Sequence, residues 1–129
     1  MGEVYVRLTV YGPKDAQELD ALVDTGATYT KIPKQVAEGV GLQLEYETEV
    51  ELADKRLVRR KLGLAQVEID GVRRPVLVSV SEDNEQPLIG YTTLELLEFK
   101  VNPLTRKLER ARPIEYMFRP TKRWGIAIY

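Results

Sequence analysis

The chain has no cysteine and no histidine. Their absence excludes disulfide staples, thiol nucleophiles, Cys/His zinc sites, Ser-His-Asp triads and histidine general bases together. Acid–base chemistry near neutral pH then falls to carboxylates, lysine or tyrosine. Asparagine stands only at Asn84 and Asn102, while Glu, Lys and Arg abound. That balance is thermophile-like and predicts a melting temperature above that of ordinary mesophilic domains. No apolar run approaches the ~20 residues needed to cross a bilayer. The opening "MGEVYVRLTV" lacks the order of basic, apolar and small residues that marks a signal peptide. The expectation is a soluble cytoplasmic protein with no membrane contact. The carboxylates are scattered and lack EF-hand spacing, so neither a metal nor a cofactor is expected.

The 129 residues fit one domain with a real core. Net charge is −1, which argues against nucleic acid as a partner. The charge is uneven, however. Residues 1–99 carry 11 Lys/Arg against 18 Asp/Glu, and residues 100–129 carry 8 against 2. A basic tail of this kind packs on an acidic body or partner subunit, or else binds nucleic acid or membrane. Arg119, Lys122, Arg123 and Trp124 would suit stacking plus phosphate contact.

Most of the chain reads as strands. "VYVRLTV" (4–10) alternates apolar and polar residues, the period of a half-buried strand. "YGPKD" (11–15) is a turn, "ELDALV" (18–23) a second strand, and "YTKI" (29–32) resumes extended structure. Pro33 is expected at the first position of a short helix stopped by Gly39 and Gly41. Strands at 48–52 and 56–64 flank a hairpin tip at "ADK", and strands at 65–69 and 73–80 flank Asp70-Gly71, a strong turn signal. "PLIG" (87–90) is a short strand. A helix over 91–99 is expected to start with a capping box, Thr92 with Glu95, and to bury Leu94, Leu97 and Phe99. Asn102-Pro103 marks a further turn. "ALVDTGA…IPKQVAEGVGL" and "PLIGYTTLELLEF" echo each other as apolar strand, Gly loop and short helix, the mark of a pseudo-twofold domain.

The chemistry concentrates at "ALVDTGATYTKIP" (21–33). Asp24 follows three apolar residues, so it emerges from the core partly desolvated. Gly26 and Ala27 let another backbone come close. Thr25 offers a hydroxyl that both donates and accepts. Read alone, Asp24 is equally the first residue of a polar turn, bonded to its own backbone.

From about residue 4 to residue 104 the chain resembles the retropepsin-like aspartic proteases. The parts come in family order: "LVDTGA", an extended segment, a hairpin near 48–61, "VEIDGVRRPVLVSV", then "PLIG" with its helix. It is most similar to the small prokaryotic members, in which "VDTGA…IP…VAE..GL" precedes a flap reading "ADKR". The resemblance implies an all-β, mainly antiparallel acid-protease barrel over 1–104 with one or two short helices. The basic and aromatic extension 105–129 would pack on the domain or at a dimer interface. It also implies an aspartic endopeptidase acting on polypeptide. Asp24, Thr25 and Gly26 would be catalytic, with Ala27 and Thr28 beside the substrate and Leu52, Ala53, Asp54 and Lys55 above it in the flap.

One carboxylate cannot be general base and general acid at once, so two must share a proton and a water. The chain has a single Asp-Thr-Gly. The second carboxylate must then come from a second copy, which makes a homodimer the expected partner state. By resemblance, Thr25 would hydrogen-bond across the dimer axis. "EFKV" (98–101) matches the place of the family's interface strand. Viral flaps are glycine-rich, whereas "LADKRL" has no glycine. A peptide- or protein-binding module with weak or no catalysis is therefore the alternative reading. "DTGATYT" is also faintly similar to the phosphate loop of the actin and sugar-kinase fold, which needs a far longer chain.

Overall fold

The computed structural model describes residues 3–115. Arg119, Lys122, Arg123 and Trp124, expected to suit stacking and phosphate contact, and the final "GIAIY" lie outside the described residues.

The hydrophobic alternation near the N-terminus forms β1 (Tyr5–Tyr11), which burial places with Leu8 and Val10 inward. It turns into β2 (Ala16–Val23), and the two pair antiparallel from Tyr5↔Leu22 to Tyr11↔Ala16. The chain continues as β3 (Thr30–Pro33), α1 (Lys34–Val40), β4 (Tyr46–Glu51), β5 (Leu57–Ile69), β6 (Val72–Ser81), β7 (Leu88–Ile89), α2 (Tyr91–Leu96), β8 (Phe99–Asn102) and β9 (Lys107–Arg110). Six strands close a ring in the order β1-β2-β7-β3-β6-β5, with β5 returning to β1 through Val10↔Val67. Leu8, Val10, Ile32, Val67, Val78 and Ile89 fill it and are fully buried. The ring is the expected all-β acid-protease barrel with two short helices.

One sequence expectation about the strands changes in detail. The segments 56–64 and 65–69 form one long strand, β5. Its first half pairs with β4 and its second half with β1, so a single strand serves both a projecting hairpin and the barrel wall. Asp70 and Gly71 take φ of 47° and 80°, the double left-handed turn that Asp-Gly predicts.

The helix boundaries also shift. Pro33 ends β3 with extended ψ (150°) and caps α1 from outside, and Gly39 lies inside the helix. Gly41 alone stops it, at φ 77°, donating its N–H to the carbonyls of Ala37 and Glu38. The capping box at α2 does not form. Gly90 is the N-cap, which leaves Thr92 inside the first turn, and its hydroxyl donates instead to the Thr28 carbonyl. The helix ends before 99 because Glu98 takes φ 65°, which releases Phe99 into β8. Leu94, Leu97 and Phe99 are buried as expected, while Tyr91 is 41% exposed and does not belong to the core.

The internal echo has a structural counterpart. β2 runs parallel to β7 and β6 runs parallel to β3, while β3 and β7 meet antiparallel at the centre. Each central strand leads into a short helix, β3 into α1 and β7 into α2. The repeat thus aligns "KIP" with "LIG" rather than "LVD" with "LIG".

β8 and β9 form a separate antiparallel pair. Arg110 stacks over the Phe99 ring at 4.9 Å, donates to the Leu97 carbonyl at 3.1 Å, and lies 3.6 Å from Glu98. The first part of the basic extension therefore rests on an acidic residue of the body.

Candidate active site

Asp24 directly follows β2. Its N–H donates to the Ile89 carbonyl at 2.9 Å, just where the parallel ladder of β2 and β7 ends. Its Oδ1 accepts the Gly26 N–H at 3.0 Å, and its carbonyl accepts the Ala27 N–H at 3.1 Å. The local turn bond and an outward-facing carboxylate are thus two aspects of one loop. The side chain is half-buried, at the mouth of the sheet.

Behind this loop the chain is packed backbone against backbone. A Cβ on Gly90 would lie 2.6 Å from both the carbonyl carbon and the oxygen of Tyr29 and 2.9 Å from the Ala27 oxygen. Only glycine fits there. Tyr91 donates its N–H to the Ala27 carbonyl at 2.8 Å. Thr30 accepts the Gly90 N–H at 3.2 Å and donates its hydroxyl to Thr93 at 2.7 Å, and both threonines are fully buried. Thr30→Val leaves the buried Gly90 N–H without its acceptor and the Thr93 hydroxyl without its donor. It should cost about 1–3 kcal/mol, read from urea unfolding.

Two hollows flank the loop. One, of about 530 Å³, is lined by Asp24 and Thr25 with Val4, Val101 and Arg106. The other, of about 490 Å³, is a cleft between loop residues 26–29 below and residues 48–52 of the β4–β5 hairpin above. Gly26, Ala27, Thr28 and Leu52 therefore meet around one cavity. Ala53, Asp54 and Lys55 stand at the exposed end of the hairpin, outside that lining.

The hairpin tip closes without glycine. Lys55 donates its N–H to the Leu52 carbonyl at 2.9 Å and takes the left-handed conformation, φ 72°, that glycine would normally occupy. Asp54 accepts the Arg56 Nε at 2.7 Å and the Arg56 N–H at 3.1 Å, and these bonds hold its carboxyl below the ordinary range.

A second polar cluster was not foreseen. Glu85 accepts Arg60 Nη1 at 2.9 Å and Nη2 at 2.6 Å, Lys31 Nζ at 3.3 Å and the Glu82 N–H at 3.2 Å. Burial alone would raise the Glu85 carboxyl, but the Arg60 guanidinium, the Glu82 N–H and the Lys31 ammonium outweigh it and hold it below the usual value. A carboxyl lowered in the folded state lends stability above its unfolded pKa. That stability is lost as pH falls through the folded value. Glu85→Gln should therefore cost about 2 kcal/mol near pH 7, less than a fully buried pair because Glu85 keeps 27% exposure. The difference from the parent should shrink in melting curves taken below about pH 4. One signal for this cluster was in the sequence: Arg60 interrupts the apolar face of Val58 and Leu62 at a spacing of two.

Residues 6–93 match the family model described as aspartyl protease. The chain belongs to the aspartyl protease family. The match lies in the retropepsin-like clan. It covers the Asp24 loop, the β4–β5 hairpin and Gly90, and ends inside α2. No individual curated protein matches the chain. Among the described residues no helix is long and apolar enough to cross a membrane.

Proposed function

We propose that this aspartyl protease family member is an aspartic endopeptidase that works as a homodimer in the cytoplasm. Asp24 and its copy share one proton and one water. The charged carboxylate takes a proton from the water, which attacks the amide carbonyl. The protonated carboxyl polarises that carbonyl, and protons then pass to the leaving nitrogen. The observation that carries this reading is the placement of Asp24, pinned by Ile89 and Gly26 beside a cleft roofed by a hairpin.

Three further observations support it. The sequence holds one Asp-Thr-Gly, so a dyad needs two chains. Thr25 is exposed beside Asp24, where it can bond across an axis. In the described fold β4 pairs on one side only, with β5, which leaves an edge on which an extended peptide can add as a strand. Ala27, Thr28 and Leu52 would then contact the peptide, with Ala53, Asp54 and Lys55 closing over its end.

Hydrolysis of an unfolded polypeptide near pH 4–6, blocked by a statine-type inhibitor, is the test. It is paired with sedimentation to measure particle mass. A particle that stays monomeric with peptide bound would end the dyad mechanism. Peptide binding by a dimer with no turnover would instead favour a binding module, the outcome that the salt-bridged, glycine-free tip would explain.

A further inference from the structure

The charged residues that line the cleft differ in burial: Lys31 and Arg60 are the more buried, Glu49 and Glu51 the exposed ones. Opposed residues of an antiparallel hairpin share a face. Thr48↔Arg60 and Val50↔Val58 form the more buried face of the flap, whereas Glu49↔Arg59 and Glu51↔Leu57 form its exposed face. Glu49 and Glu51 also line the cleft, but from the exposed face of the hairpin, where Glu51 lies 3.8 Å from Lys55. Below, Lys31 of β3 reaches the same Glu85 that Arg60 holds. Glu85 is saturated, with each oxygen engaged twice.

Two cations therefore share one anion at a site where the Arg60 side chain keeps 9% exposure and Lys31 18%. Surplus charge at such burial is costly unless a further anion compensates it. The donors for that anion are present. Lys31 commits one of its three donors to Glu85, and Arg60 Nε is buried with no hydrogen-bond partner among the described residues. Both residues line the cleft.

We propose that Lys31 and Arg60 form a specificity subsite for a carboxylate on the bound polypeptide, supplied by an Asp or Glu side chain. This rests on the reading that the cleft holds an extended peptide. Lys31, the more exposed of the two, meets the carboxylate. Arg60 is a positioning residue that adds the second positive charge and fixes Lys31 through Glu85. A chain's own C-terminus offers the same chemistry, so the test separates the two sources.

Peptides with amidated ends carry Glu, Gln or Lys at successive positions, and a parallel Gln series keeps a free C-terminus. Cleavage is read by mass spectrometry for the parent and for Lys31→Glu. The parent should favour Glu over Gln at one position by about tenfold or more. Lys31→Glu should invert that preference towards Lys. Fluorescence polarisation of the same peptides on Asp24→Asn, with and without Lys31→Glu, reads the order without turnover. If the parent cleaves nothing but the Glu preference in binding holds and inverts, the subsite stands and the protease reading falls. Equal handling of Glu and Gln, or a Glu preference that Lys31→Glu leaves intact, overturns the subsite. A preference confined to free C-termini overturns the side-chain assignment. Should Lys31→Glu fail to fold, Lys31→Met should erase the preference without inverting it.

Discussion

Asp24→Asn should lower kcat/KM on a peptide substrate by about 10³- to 10⁴-fold while leaving the fold and the assembly intact. The large effect follows from symmetry. In a homodimer the substitution removes both carboxylates at once, so neither base nor acid remains. The small structural effect follows from the loop. Asparagine keeps the Oδ1 that accepts the Gly26 N–H, so the turn that Asp24 closes at 3.0 Å can persist. Asn is for this reason the informative replacement, since Ala would also break the turn. The measurement is steady-state hydrolysis alongside a melting curve and a sedimentation profile. Residual turnover within tenfold of the parent, at an unchanged melting temperature, would remove Asp24 from the chemistry.

Gly90→Ala should be the most damaging single methyl group near the site. The φ of Gly90 is −84°, which any residue adopts, so the need for glycine is a matter of space. A Cβ at 2.6 Å from the Tyr29 carbonyl meets backbone on both atoms and cannot be relieved by a rotamer change. The loop or the strand must move by about 1 Å, and overpacking of this kind costs about 3 kcal/mol. For a domain of this size that is roughly 10 °C in melting temperature. The segment forced to move is the one that presents Asp24 and Ala27, so activity should also fall by about 100-fold below the melting transition. Calorimetry and hydrolysis assays on the same sample separate the two effects. A variant that melts like the parent would show that the Asp24 loop is looser than its close packing implies.

The architecture was legible where local chemistry dominates. Period-two alternation placed β1, and Asp70-Gly71 placed its turn, because a positive φ at two successive residues leaves few alternatives. Asp24 stood out because an acid after three apolar residues is paid for only when the loop beyond it has work to do. The order of motifs from about residue 4 to residue 104 pointed to the family that the match over residues 6–93 shows. Where a residue's role is set by a neighbour distant in sequence, local reading went astray. Thr92 looked like a helix cap, yet the helix begins at Gly90's edge and the hydroxyl turns to Thr28. Segments 56–64 and 65–69 looked like two strands because the sequence does not show that β4 and β1 share one partner.

The sequence by itself determined that a mostly stranded chain would carry one Asp-Thr-Gly loop, without thiol or imidazole chemistry, because composition and short-range backbone preferences are properties of single residues and their near neighbours; the barrel came from the family resemblance. The tertiary structure alone decided that Thr30 and Thr93 share a buried bond. It alone brought Lys31, Arg60 and Glu85 together across 54 positions of chain. The reason is physical: close packing and ion pairing depend on distances in space, and those exist only once β3, β5 and the loop before β7 have closed on one another.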